Sequence, residues 1–549
     1  MLRKSTFALF VALAAHAAAQ TVVLTPATTH LDLVHGGVLT FNATVTYSTP
    51  PGVLAFSATL PAGWSYSASG GVNEPPVKPA DLTTGTLSWA YITTPASPAT
   101  FSFNVNYPAS LTGLQPLTTT SITRDTAGSA AVPTTGPTVK LVVPTGAATW
   151  NGGTDNWTTA AAWTPGTVPN NGTPANSTYS ASISSGTATV GSPIAINDLL
   201  LLGGTISGLS TLTIAGSGSD WQAGTFSGLT QVVIAPDAFF ATSGASNHDF
   251  NQTTITNNGQ FIWNGSGNLR SGGGGAFVNA AGATFTDASA GAPARITASG
   301  FTGAFTFSNA GNFVKSGSTT TSIDVPFTNT GNILVTAGTV AFTSTFTQTS
   351  GALSIASGAT ASFSNGLNFT SGSLTGSGMV TGNLVNGAAS GSPAVISPGS
   401  IYGTLNVTGA LTLLATSQLI FDLSGTTQGV TYDFLHDAGT TTLGGTLTVN
   451  LASSFKSTIQ TSDSFTVLTA TTVSGAFTNV ANGTRLVSSD GSGSFLVSYG
   501  TGSAFAANNL VLSNFQFTPV PEPSTWALLT LGVGAVAGAA LRRRVRRQD

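Results

Sequence analysis

The sequence is poor in cysteine, charged residues and helix-forming runs, and each shortage excludes a type of site or structure. None of the 549 residues is cysteine, so disulfide bonds and thiolate metal sites are excluded. Only 6% of the residues are charged, and residues 21–518 contain no convincing helical pattern. Thr, Ser, Val, Phe and 66 glycines fill the chain instead. Stability must then come from apolar burial and backbone pairing, which predicts an all-β protein.

The charge is unevenly distributed along the chain. Between residues 21 and 518 there are eight Lys+Arg and sixteen Asp+Glu, a formal charge of 8 − 16 = −8, whereas the whole chain carries −3. The other seven basic residues lie near the two ends. An acidic body with so few cations offers no patch for a phosphate backbone, so we expect no nucleic-acid partner.

The first twenty residues have the order of a secretory signal peptide. Arg3 and Lys4 precede the apolar run 7–15, and the small residues of 17–20 follow it. This order predicts cleavage after Ala19 or Gln20. We therefore assign residues 1–20 as a signal peptide and expect export through the inner membrane.

The end of the chain, residues 516–549, has three physically different parts. Pro521, Glu522 and Pro523 form a rigid, extended segment, because proline fixes its own φ and disfavours helix in the residue before it. From Trp526 to Leu541 sixteen residues carry no charge, which as a helix would rise about 24 Å. This stretch predicts a single C-terminal transmembrane helix, with Trp526 at one interface. Arginines that would hold the cytoplasmic end follow it: Arg542, Arg543, Arg544, Arg546 and Arg547.

The order of motif, span and basic cluster resembles the PEP-CTERM sorting signal of Gram-negative bacteria. In that family an exosortase, a membrane transpeptidase-like enzyme, recognises the motif that corresponds here to Pro521, Glu522 and Pro523. The resemblance implies an exosortase as partner, a transient stay in the inner membrane, and delivery to the cell surface, the outer membrane or the extracellular matrix. An ordinary single-span tail anchor is the alternative interpretation.

The first part of the exported body, residues 21–145, alternates apolar and polar residues. Segments 38–45, 86–91 and 100–105 place apolar side chains on one face at a period of two. Proline and glycine turns separate such segments. The size and strand spacing predict an immunoglobulin-like β-sandwich.

Residues 146–183 hold three closely spaced tryptophans, Trp150, Trp157 and Trp163. This segment resembles the opening of the β-strand repeat regions in autotransporter-like surface proteins. The first coil of a solenoid exposes an apolar end that must be covered, so we interpret the segment as a cap. The alternative is that the three rings contact a glycan.

Residues 184–391 repeat in shape rather than in identity. Gly311, Gly331, Gly351 and Gly372 lie 20, 20 and 21 residues apart, and Asn-x-Gly turn signals recur. A period of about twenty residues predicts a right-handed parallel β-helix with three short strands per coil. Asparagines stacked inward at the turns could form amide ladders. Residues 392–515 resemble the end of autotransporter passenger regions at 403–411 and 443–449, which implies a C-terminal β-strand region of the same solenoid.

The densest titratable group of the body is Asp422, Asp433, His436 and Asp437. His436 and Asp437 could serve as a base with its orienting carboxylate, and Asp422 as a second acid, but no glutamate lies near them. A second set is dispersed over the repeats: Asp287, Arg295 and Asp324. We therefore expect no catalytic residue, no metal site and no cofactor.

These observations predict an exported, non-enzymatic structural protein of the cell surface or extracellular matrix. Its polar solenoid faces would contact exopolysaccharide or other copies of this chain, as in a biofilm. One alternative is an adhesin that binds polysaccharide through the sandwich and the tryptophan segment. Another is a β-helix polysaccharide lyase or hydrolase, which would need two carboxylates within about 10 Å in a groove.

Overall fold

The structure, a computed structural model, describes residues 20–26, 37–47, 51–108, 113–124, 132–136, 139–143, 146–174, 177–289 and 294–518. Regular structure in these ranges is almost entirely β-strand. The exceptions among the described residues are a 3₁₀ turn at Ala160–Ala162 and one α-helical turn at Ser453–Lys456. The all-β expectation is confirmed.

The N-terminal part consists of two antiparallel sheets. One has the order β1-β2-β6-β4, and the other has the order β5-β3-β7-β8 with β9 also paired to β7. The strands are β1 Gln20–Pro26, β2 Gly37–Tyr47, β3 Val53–Thr59, β4 Ser65–Gly70, β5 Thr86–Ala90, β6 Ala99–Tyr107, β7 Gly113–Arg124, β8 Val132–Thr135 and β9 Val139–Val143.

A single hydrophobic core lies between these two sheets. In β6 every second residue is buried, as the alternation of its sequence predicts. Trp64 and Trp89 are both fully buried. The ring of Trp89 lies 4.8 Å from that of Phe103 and 5.5 Å from that of Phe56, so aromatic contacts join the two sheets.

The remainder of the body is a parallel β-solenoid built from three long sheets. The first sheet contains Gly146–Trp150, Trp163–Thr164, Tyr179–Ile183, Asp198–Leu201, Ser219–Trp221, Phe239–Thr242, Gln260–Trp263, Thr284–Asp287, Asn312–Lys315, Asn332–Val335, Ala352–Ile355, Gly372–Gly376, Ala394–Pro398, Ser417–Leu423 and Thr446–Leu451.

The second sheet contains Thr154–Asn156, Thr187–Val190, Thr205–Gly208, Thr225–Ser227, His248–Asn251, Leu269–Arg270, Ala294–Thr297, Thr320–Ile323, Thr339–Phe342, Thr360–Phe363, Met379–Thr381, Thr404–Val407, Phe434–Asp437, Ser464–Thr469, Thr484–Val487, Gly493–Tyr499 and Asn509–Phe517. The third contains Ile194–Ile196, Thr211–Ile214, Gln231–Ile234, Thr254–Asn257, Gly275–Asn279, Phe305–Asn309, Phe327–Asn329, Phe346–Gln348, Leu367–Phe369, Leu384–Asn386, Leu411–Leu413, Thr440–Leu443 and Thr472–Gly475.

The chain visits the three sheets in turn, so one strand from each sheet makes a coil. The described strands from Tyr179–Ile183 to Thr472–Gly475 make thirteen complete coils. Asn312 pairs with Asn332, and Asn332 with Ala352, which confirms the twenty-residue period. The parallel sheets continue across residue 391 without interruption. The boundaries of the domains given above stay predictions.

The glycine period has a steric cause. A Cβ atom at Gly331 would lie 2.1 Å from the carbonyl oxygen of Gly311, and one at Gly351 would lie 1.8 Å from that of Gly331. Gly351 and Gly372 also have φ of +78° and +98°, a region that favours glycine. At this corner the backbones of successive coils approach so closely that no side chain fits.

We expect Gly331→Ala to lower the free energy of unfolding by about 1–3 kcal/mol, because the new methyl group must displace backbone. The measurement is the denaturant midpoint of the solenoid. Gly191→Ala is the matched control, since no heavy atom lies within 4 Å of a Cβ atom there. Equal midpoints for the two variants would contradict the steric explanation.

A ladder of four buried asparagines runs along the third sheet. The carboxamide Nδ2 of each of the first three donates to the Oδ1 of the asparagine on the next coil, at 2.8, 2.6 and 2.7 Å. The ladder ends where Asn329 pairs with the buried Gln348. Its members are Asn257, Asn279, Asn309 and Asn329. The expected amide ladder is therefore present, and it satisfies polar groups inside the apolar stack.

We expect Asn309→Ala to cost about 1–3 kcal/mol of stability, because the buried amides of Asn279 and Asn329 each lose one hydrogen bond to Asn309. Thermal unfolding would measure the loss. The control is Asn332→Ala, which removes an exposed bond from Asn332 Nδ2 to Asn312 Oδ1 at 3.1 Å in the adjacent strand. A similar small effect from both variants would show that the ladder contributes no more than surface hydrogen bonds do.

The solenoid core contains two columns of stacked phenylalanines. Within the columns the ring planes differ by 8° to 14°, and between the columns the rings meet edge to face. Centroid separations of 4.9–5.9 Å within the columns follow the spacing of adjacent strands. One column is Phe261, Phe285 and Phe313, and the other is Phe277, Phe307, Phe327 and Phe346.

Antiparallel strands lie at both ends of the stack. At the start Trp163–Thr164 pairs antiparallel with Gly146–Trp150. At the end Asn509–Phe517 pairs antiparallel with both Ser464–Thr469 and Gly493–Tyr499. The parallel stacking is thus interrupted at each end, which limits addition of further coils or other chains at these edges.

Candidate functional site

The three tryptophans of residues 146–183 form one buried cluster. Trp163 is central, because its ring lies 4.9 Å from Trp150 and 4.8 Å from Trp157, in edge-to-face geometry. The three residues are 3%, 0% and 2% exposed for Trp150, Trp157 and Trp163 respectively. Each indole N–H donates to a carbonyl oxygen of this same segment, those of Gly153, Pro169 and Trp157.

This geometry is what a cap requires. The rings join the hydrophobic core of the solenoid and cover the apolar end of its first coil. A sugar could stack on these rings only if the coil opened, because their faces are buried. The glycan contact of Trp150, Trp157 and Trp163 therefore stays a prediction that the buried geometry does not support.

The carboxylate of Asp433 serves the local backbone. Its Oδ1 accepts from the amide of Gly403 at 3.2 Å, and its Oδ2 accepts from the amide of Asp422 at 2.8 Å. Burial raises the pKa of Asp433 from 3.8 to about 9, against the lowering effect of these two amides. Asp433 thus fixes the loop before Phe434–Asp437 and lies in no open groove.

His436 and Asp437 point to opposite faces of the second sheet. Asp437 is buried and accepts from the Gly439 amide and the Thr441 hydroxyl, whereas His436 is exposed. Because neighbouring residues of a strand alternate between faces, His436 cannot use Asp437 as its orienting carboxylate. Asp422 accepts from the side chain of Asn450. The four residues therefore do not form an acid–base arrangement.

We expect the stability of the wild-type protein to fall as pH rises from about 5 to about 8, partly through Asp433. The folded state retains the Asp433 proton up to about pH 9, while the unfolded chain loses it near pH 4. The unfolded state therefore binds fewer protons in this window, so folding becomes less favourable by up to about 1.4 kcal/mol per pH unit.

Asp433→Asn should flatten this slope, as measured by denaturant midpoints at several pH values. Asp198, whose pKa burial raises to about 7, contributes a slope of the same sign, so the comparison is variant against wild type. Identical slopes would show that Asp433 is ionised in the folded protein.

The dispersed residues Asp287, Arg295 and Asp324 do not form one cluster. Arg295 forms an ion pair with Asp324 at 2.7 Å on the second-sheet side of the coils. Asp287 instead faces Lys315 inside the solenoid, where both side chains are fully buried. Sequence reasoning missed Lys315. The sequence does indicate that Lys315 is buried, because the alternation that buries Phe313 also buries the residue two positions later.

In the described part of the chain no group of three or more His, Asp or Glu side chains could hold a metal ion. Likewise, no described helix is long and apolar enough to cross a membrane. The expected span from Trp526 to Leu541 and the motif residues Pro521, Glu522 and Pro523 lie outside the described residues, as do the arginines that follow the span: Arg542, Arg543, Arg544, Arg546 and Arg547. Most of the expected signal peptide, residues 1–19, also lies outside them.

The outer faces of the solenoid are polar and weakly charged. Thr320, Thr339 and Thr360 are paired on successive strands of the second sheet, with side chains that are exposed or partly exposed. On the third sheet Thr328 pairs with Thr347, and both are exposed. Such columns place hydroxyl groups about 4.8 Å apart along the stack.

Comparison with known proteins adds one finding. A family profile described as the PEP-CTERM protein-sorting motif matches residues 519–544, and a search of curated proteins found no match. The molecule is therefore an all-β solenoid protein that carries a PEP-CTERM sorting motif. The motif indicates an exported protein that is sorted to the surface and processed by an exosortase.

Proposed function

We propose that this protein is a non-enzymatic structural component of the cell surface or extracellular matrix. The observation that carries the proposal is the sorting motif at residues 519–544, which follows directly after the solenoid. The thirteen coils form a rod about 60 Å long at ~4.8 Å per coil. Such a rod, attached at one end, extends polar faces away from its point of attachment.

Exopolysaccharide, or other copies of this chain, are the proposed partners of these faces. The hydroxyl columns at Thr320, Thr339 and Thr360 match the repeating hydroxyl groups of a glycan, which act as both donors and acceptors. Low charge limits repulsion when chains pack closely in a biofilm.

The absence of an enzymatic role is part of the proposal. Asp433 binds backbone amides, and His436 and Asp437 face apart, so this group supports no acid–base pair. The lyase or hydrolase and the adhesin are the alternatives. Titration of exopolysaccharide onto the protein, followed by chain-length analysis of the polymer, separates structural binding from cleavage.

The proposal includes the finer architecture. Residues 1–20 act as the signal peptide, and the span from Trp526 to Leu541 holds the chain transiently in the inner membrane before the exosortase removes it. We also propose an immunoglobulin-like type for the sandwich. Right-handed winding of the coils is proposed because parallel crossover connections are almost always right-handed.

The sorting step is tested with a double variant, Pro521→Ala and Pro523→Ala, in the native host. We expect this variant to accumulate in the inner membrane, because the rigid motif that the exosortase recognises is lost. Fractionation and immunoblotting measure the distribution.

Pro519→Ala is the control, since it lies next to the motif and leaves Pro521, Glu522 and Pro523 intact. Normal surface delivery of the double variant would contradict processing at this motif. Delivery that fails equally in the control would show that the segment tolerates no change, and would contradict a specific role of the two prolines.

A further inference from the structure

Lys315 and Asp287 form an isolated pair inside the solenoid. They are directly paired residues on adjacent parallel strands of the first sheet, and both side chains are 0% exposed. The Nζ of Lys315 lies 3.7 Å from the Oδ2 of Asp287, which is longer than a hydrogen bond. Neither atom has a hydrogen-bond partner in the structure.

Such a pair is costly as two separate ions. Removing an ammonium and a carboxylate from water costs several kcal/mol each, which the attraction offsets only with good geometry and additional hydrogen bonds. Here Trp263 and Val335 occupy the matching positions on the neighbouring strands, so the surroundings are apolar. Burial lowers the pKa of Lys315, although Asp287 opposes this effect, and a neutral lysine is a nucleophile.

The two oxygens of Asp287 have different surroundings. Oδ1 accepts from the Ser289 hydroxyl at 2.6 Å and from the Ser289 backbone amide at 3.1 Å. Oδ2, which faces Lys315, accepts from no donor. Two donors on one oxygen are the arrangement that stabilises developing negative charge when a carbonyl carbon is attacked.

We propose that Lys315 and Asp287 condense to an intramolecular isopeptide bond that links adjacent coils. A proton passes from the Lys315 ammonium to Oδ2 of Asp287, leaving an amine and a carboxylic acid. Nζ then attacks Cγ, and the negative charge that develops on Oδ1 is stabilised by Ser289. Nζ then passes its remaining extra proton to the Oδ2 hydroxyl, the Cγ–Oδ2 bond breaks with Oδ2 departing as water, and Oδ1 becomes the carbonyl oxygen of the new amide. The step needs no oxidant, metal or co-reactant.

Peptide mapping of the protein purified from its native host tests the bond. Denatured protein digested with trypsin and chymotrypsin should yield a branched peptide of residues 286–295 joined to residues 314–327. Its mass is the sum of the two peptides less one water molecule. Trypsin should fail to cut after Lys315, because its ammonium is consumed. This measurement needs no variant, so a folding defect cannot obscure it.

An internal control is present in the same digest. Lys456 and Asp490 also form a close Lys–Asp pair, but both side chains are about 30% exposed. Because both side chains are in contact with solvent, we expect this pair to remain unlinked. A second control is Lys315→Arg, which keeps the charge but cannot form the amide under these conditions. It should abolish the branched peptide.

Three results would overturn the proposal. One is the free peptide 316–327 in full yield with an unmodified 286–295. Another is loss of water from 286–295 that persists in the Lys315→Arg variant, since that indicates a cyclic imide at Asp287. The third is equal linkage of Lys456 to Asp490, which would show that the bond forms on denaturation or digestion.

Asp287→Asn should give the same branched peptide with loss of ammonia instead of water.

Discussion

Backbone hydrogen bonding between successive coils is the constraint on which the rest of the solenoid depends. No coil encloses its own apolar residues, so each one is stable only with a neighbour in register above and below. This register aligns Phe285 over Phe261 and Asn279 over Asn257, and it brings Gly331 against Gly311. A chain without cysteine and with few charged residues obtains its stability from this repetition.

Much of this architecture could be predicted from the sequence because its causes are local. The glycine period follows from backbone contact at one corner, and the alternation of apolar residues follows from the two faces of each strand. The asparagine ladder was expected for the same reason. Its members are nevertheless 22, 30 and 20 residues apart, so no fixed period would have identified them all. The sandwich type and the domain boundaries stay predictions.

The contacts of the charged residues could not be predicted, because coil length varies. Asp287 was considered beside Arg295 and Asp324, yet the segment after Asp287 is long enough to place Lys315 opposite it, 28 residues on. Arg295 then pairs with Asp324 on a different face. Burial decides the rest: the tryptophans of residues 146–183 lie inside the first coil and form no surface platform, and Asp433, a member of the densest titratable group, binds backbone amides.

The position of the last strand sets how the body is held. Asn509–Phe517 is part of the second sheet to its final residue, and only three residues separate Phe517 from Pro521. Three residues span at most about 14 Å between the flanking positions, even when fully extended. Any molecule that binds the chain at Pro521 therefore lies close to the end of the solenoid. The connecting segment is therefore too short to let the solenoid reorient freely about its point of attachment.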